Sequence, residues 1–133
     1  MLIYPRGIYH RFKIMPASKS TSKKNTKAVE KRIEQVIRQA DLWQKELLVI
    51  VDHDAEAYLR FSKIPKTDVK RKRLAQKEIS RIPKDICRIC YQAVGITPIL
   101  VKKGSKYLLS DLEIALEFLW AAYRSAFILT KQQ

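Results

Sequence analysis

The segment VDHDAEAY at residues 51–58 holds the side chains best suited to proton transfer. On a helix turning about 100° per residue, Asp54 falls near the middle of an apolar stripe, at about −20° when Leu47 is set to 0°. Asp52 falls near the edge of that stripe, at about 140°. The two carboxylates are two positions apart, so they do not face each other. A carboxylate in the middle of a core face costs several kcal/mol unless it is paired or hydrogen-bonded. Its pKa is also raised toward neutrality, which is what a general acid or base requires. Asp54 is therefore the first candidate for a catalytic group and Asp52 the second. The plainer alternatives are a carboxylate satisfied by Arg, Lys or a helix terminus at Asp54, and a solvated or capping role at Asp52.

Three further features bear on ligand binding. Lys66 follows Pro65 in the break after that helix and is placed to meet an anion, or is one more surface lysine. Ser110 and Asp111 begin a run, Ser-Asp-Leu-Glu, that reads as a capping box with Ser110 as cap and Glu113 three residues later. Residues 63–84 carry nine cations against Asp68 and Glu78. Such a cluster is either a solvated face or an attractor of anions, whether nucleic acid or an acidic tail on a small molecule. Cys87 and Cys90 supply two ligands of the four a structural zinc needs, and His10 and His53 lie outside any finger spacing, so no metal site is expected. At i and i+3 among Ile86 and Ile89, the two thiols read as buried packing groups, with redox or metal roles as the alternative.

The elements that must carry these residues are helices. Gly occurs 3 times and Pro 5 times in 133 residues, too few for an all-β fold of many tight turns. Val29, Ile33, Val36, Ala40, Trp43, Leu47, Val51, Tyr58 and Phe61 share one stripe less than about 90° wide, predicting an amphipathic helix from Thr26 to Phe61. Pro65 ends it. A second helix is expected over 68–81, and a third over 84–94 with Pro83 in its first turn and Gly95 as its stop. Residues 96–107 read as a connector. The final helix starts at Ser110 and is apolar over most of its circumference, which requires central burial or a subunit interface. The expected fold is all-α, a bundle of long antiparallel helices that oligomerises.

The chain carries 27 Lys and Arg against 13 Asp and Glu, a net charge of +14. Seven of those cations lie in residues 1–29, which contain no acid. Residues 1–25 are read as a basic leader or arm, with an organelle transit segment as the alternative, and 26–133 as one helical domain. No apolar run approaches the ~20 residues that span a bilayer, so no membrane partner is expected. Two isolated cysteines fit a reducing compartment such as the cytoplasm.

VDHDAEAY, the Ile64-Pro65-Lys66 that follows, and SDLEIALEFLWAAYRSA at 110–126 stand in the order of a known pattern. The chain resembles the cyclodeaminase domain of the formiminotransferase-cyclodeaminase family and related methenyltetrahydrofolate cyclohydrolases. The resemblance covers about residues 20–130. It departs from the family in having no Gly-rich first segment, Ser105 rather than Asn after Gly104, and no Asn-containing end to the last helix. These departures make a chain shortened at both ends the expectation.

The resemblance implies an all-helical oligomer acting on a tetrahydrofolate derivative without a metal. A formimidoyltetrahydrofolate cyclodeaminase closes the 5-formimino form to the methenyl form and expels ammonia. A cyclohydrolase opens the methenyl ring with water. Either needs a positioned carboxylate. Asp54 and Asp52 match the catalytic motif, and Lys66, Ser110 and Asp111 the substrate-binding pattern. The competing expectation is a non-enzymatic helical module, derived from that fold, that binds nucleic acid through residues 63–84 or a protein partner.

Overall fold

The computed structural model describes residues 23–103 and 106–131, and among them there is no strand. Helix α1 spans Lys23–Ser62, α2 Val69–Gly95, α3 Thr97–Lys103 and α4 Leu109–Lys131, with a 3-10 turn at Lys106–Leu108 before α4. Most of the expected leader lies outside the described residues; its last three positions are already helical in α1. Pro65 breaks the chain as expected. The Asp68 side chain then starts α2 by accepting the Arg71 backbone N–H at 3.1 Å, filling one of the orphan donors of the first turn.

The pairs Glu46–Arg88, His53–Glu78 and Phe61–Lys72 rise along α1 as they fall along α2, so these helices are antiparallel. The connection after Gly95, mostly coiled in α3, returns the chain beside the end of α2. Helix α4 therefore also runs antiparallel to α2, with the Cys87 thiol directed at the Tyr123 carbonyl across them at 3.7 Å. Helix α2 is central. It packs along both α1 and α4, whereas α1 and α4 meet each other little. The core is accordingly thin: Ala57 from α1, Ile82, Pro83, Ile89 and Cys90 from α2, and Leu112 and Ala126 from α4.

Four expectations are corrected. First, Pro83 does not separate two helices; it lies inside a single α2 of 27 residues. A proline in a helix interior forfeits a hydrogen bond and costs ~3 kcal/mol. Here Ile82 and Pro83 are both buried, and unbroken packing of that face against its neighbours outweighs the local penalty. Second, the 96–107 connector contains α3, whose Thr97 hydroxyl donates to the Val94 carbonyl at 2.7 Å and finishes α2. Third, α4 begins at Leu109 straight from the 3-10 turn, so Ser110 sits within its first turn rather than capping it.

Fourth, the apolar stripe of α1 is only partly covered, and its most tightly packed side lies to one flank of it. The residues turned to α2 are Glu46, His53, Ala57 and Arg60, centred about 100° from Leu47 on the helical wheel, with Phe61 joining them from the near edge of the stripe. Around Asp54 the stripe stays open, with Val51 50% and Tyr58 65% exposed, while Trp43, Leu47 and Phe61 are half-buried. Helix α4 behaves similarly. Its packed side holds Leu112 and Ala126, while Ile114, Phe118, Ala121, Ser125 and Ile128 form an exposed line on the far side.

Candidate functional site

Asp54 is exposed, between the open side chains of Val51 and Tyr58 on its own helix. The dry seam expected around it is not formed within one chain. Asp52 is also exposed, and lies on the opposite side of the residue that does face α2, His53. Successive helical residues are rotated by about 100°, so a motif that points His53 inward must throw its two aspartates outward to either side.

His53 anchors a polar cluster across the α1–α2 interface. Its Nε2 meets Glu78 Oε1 at 2.8 Å, and Arg60 Nη2 donates to the same oxygen at 2.7 Å. Glu56 adds a second carboxylate 3.5 Å from Arg60. The hydrogen bond from His53 is the main reason the Glu78 carboxyl is held below its usual range, with Arg60 reinforcing it against partial desolvation. Glu78 is thus a fixed anion that ties the VDHDAEAY turn to α2. Nothing local in the sequence marks this cluster, since its partners lie 18 and 25 positions apart. The one available hint is that His53, Ala57 and Arg60 recur on one side of α1.

Next to the cluster, Arg60 near the end of α1, Lys63 and Ile64 from the turn after it, and Arg71, Leu74, Ala75 and Glu78 from α2 line an open groove of about 480 Å³. Its walls are apolar and its rim mostly cationic. Asp54 does not open into it: six residues separate Asp54 from Arg60, a rotation of about 120° around the helix.

The remaining sequence candidates are widely spaced. Lys66 is exposed in the turn after α1, eight helical positions and more beyond Asp54, or at least about 12 Å along the axis. The pairings across α2 place Asp54 level with about Ser80, and the Cys87–Tyr123 contact then places Thr130 near the same level. Asp111 stands 19 residues before Thr130, about 28 Å away along α4. Ser110 is exposed and Asp111 half-buried at that distant end. One chain therefore brings Asp54 and Asp52 near each other but neither of them near Lys66, Ser110 or Asp111.

Both thiols are free. Burial pushes the Cys87 and Cys90 thiols up, and Cys87 adds to the effect on Cys90, so both are poor nucleophiles. Among the described residues no group of three or more His, Cys, Asp or Glu is placed to hold a metal ion. No helix among them is long and apolar enough to cross a membrane.

The family model for formiminotransferase-cyclodeaminase matches residues 12–132. The chain belongs to the formiminotransferase-cyclodeaminase family. Membership associates it with folate-related one-carbon metabolism, and the matched region includes VDHDAEAY, the 63–68 turn and all of α2 to α4. No curated protein and no solved structure matches the chain. Within the family match, the His53–Glu78–Arg60 cluster fixes the part of α1 that carries Asp52 and Asp54.

Proposed function

We propose that this formiminotransferase-cyclodeaminase family member interconverts one-carbon forms of tetrahydrofolate in sites built between two or more copies of the chain. The carrying observation is the setting of Asp54. A family-motif carboxylate stands between Val51 and Tyr58, apolar side chains of the same stripe that its own chain leaves exposed. Covering Val51 and Tyr58 with another copy removes water from around Asp54 and encloses it beside a bound substrate, where a positioned carboxylate can transfer a proton.

The open line on α4 supports the same reading. Ile114 and Phe118 are 51% and 57% exposed, and with Ala121, Ser125 and Ile128 they form a face that gains by burial. Homo-oligomers are mostly symmetric, and a two-fold pairing with reversed helix directions carries one end of α4 to the opposite end of its partner. Such a pairing gives the Asp54 of one copy a route to Ser110 and Asp111 of the other, which no arrangement of a single chain provides.

In that site Asp54 takes the proton of the group attacking the one-carbon centre and returns it to the leaving group. For the cyclohydrolase direction, water adds to the methenyl carbon, Asp54 accepts its proton, and the ring nitrogen leaves as the 10-formyl product forms. For the cyclodeaminase direction, the folate nitrogen attacks the formimino carbon and the proton goes to departing ammonia. Asp52 supports the charge distribution on the same helix, and Lys66 draws in the acidic tail of the folate.

The test is turnover of methenyl-tetrahydrofolate and of 5-formimino-tetrahydrofolate by the purified chain, followed by near-ultraviolet absorbance. Turnover is expected, and Asp54→Asn should lower it by about 10²–10⁴, the usual contribution of a general acid–base. Absence of both turnover and folate binding overturns the reading.

A further inference from the structure

We propose that the outer face of α2 binds the phosphate backbone of a nucleic acid, a second function separate from the folate site. Lys70, Arg73, Lys77, Arg81 and Lys84 fall within an arc about 80° wide on that helix. The centre of the arc lies opposite the buried side made by Ile82, Pro83, Ile89 and Cys90. From Lys70 to Lys84 the line runs about 21 Å, at successive steps of about 4.5 to 6 Å.

Two observations separate this line from an ordinary solvated face. The first is pairing. Arg60 on α1, Arg71 on another side of α2 and Arg88 just beyond the end of the line each meet a carboxylate. None of the five has an ion pair among the described residues. The second is the placement of the acids of α2. Glu78 and Asp85 lie outside the arc, and both are committed elsewhere, Glu78 to His53 and Arg60 and Asp85 to Arg88. A helix surface that only needed solubility would mix the two signs. This one clears five cations of every counter-charge and sets them in line.

A rod of regularly spaced phosphates fits that line. A nucleic-acid strand presents one charge per about 3.4 Å of axis, so about 21 Å of helix faces some six phosphates. Lys63, on the groove beside α2, adds one further cation nearby. An anionic bilayer fits less well. A membrane-surface helix carries several large apolar side chains to insert beside its cations, and between Lys70 and Lys84 only Leu74, just outside the arc, is large, apolar and exposed.

The experiment is fluorescence anisotropy of the full chain with a labelled single strand and a labelled duplex of about 20 nucleotides or base pairs, over about 50–250 mM salt. Binding is expected at low salt. The logarithm of affinity should fall with that of salt at a slope near −3.5 for single strands or −4.5 for duplex, about 0.7 or 0.9 per cation engaged. The triple substitution Lys77→Glu, Arg81→Glu, Lys84→Glu should weaken binding at least about 30-fold. The milder Lys77→Gln, Arg81→Gln, Lys84→Gln should reduce the slope by about 2 to 3, with circular dichroism confirming the helices in both. Reversing Lys19, Lys23 and Lys24 instead, an equal change of net charge, should shift affinity less than the α2 set does. Equal losses from the two sets overturn the proposal, as does the absence of binding at low salt. Binding to vesicles of mixed neutral and anionic lipid as tight as to either strand overturns it too.

Discussion

Mixing two inactive variants tests whether the folate site is shared between copies. The structure separates Asp54 from Asp111 by about 28 Å along the helices of one chain. Asp54→Asn therefore damages one half of a shared site and Asp111→Asn the other half. In a two-fold dimer each variant alone carries two broken sites. When the variants reassort at random, half of the dimers are mixed, and each mixed dimer holds one site with both defects and one with none. Activity should return to about a quarter of the wild-type value. The assay is methenyl-tetrahydrofolate turnover after co-expression, or after unfolding and refolding the two together at equal amounts. If the mixture stays as inactive as either variant alone while each retains its fold, Asp54 and Asp111 do not meet across copies, and the shared-site account fails.

Other consequences follow from the packing and the charges. Ile89 is fully buried in a core of few residues, so Ile89→Ala should cost about 2–4 kcal/mol by urea unfolding; the exposed Leu42→Ala should change stability by less than about 0.5 kcal/mol. The Glu78 carboxyl is lowered in the folded state. Its contribution is therefore present above the unfolded pKa and is lost as pH falls from about 4.5 through the folded value. Glu78→Gln should flatten the acid limb of a stability–pH curve, and an unchanged limb would show that the cluster does not tie α1 to α2. Asp68→Ala removes the cap on α2 and should cost about 1 kcal/mol, whereas Asp68→Asn should cost much less.

The helical content and the breaks at Pro65 and Gly95 were legible because they rest on local rules. Pro65 disfavours the helical backbone before it, the apolar periodicity of α1 is strong, and α4 is apolar over most of its circumference. Ile89 and Cys90 were legible as core for the same reason. Pro83 was misread because the local penalty was weighed without the tertiary packing that overrides it. The α1 stripe shows a different limit. Periodicity finds the apolar side of a helix, but it does not say which neighbour covers it. Helix α2 takes the flank at His53 and Ala57 and leaves Val51, Asp54 and Tyr58 open. The His53–Glu78–Arg60 cluster was invisible for a third reason: pairing between helices depends on register, and register is set by the fold as a whole.

Mass and turnover measured across one dilution series test the central claim most directly. The wild-type chain should have a solution mass of at least twice 15.6 kDa, and methenyl-tetrahydrofolate turnover per chain should fall in step as the assembly dissociates. Full turnover by a 15.6 kDa monomer would contradict the claim that a second copy completes the site around Asp54.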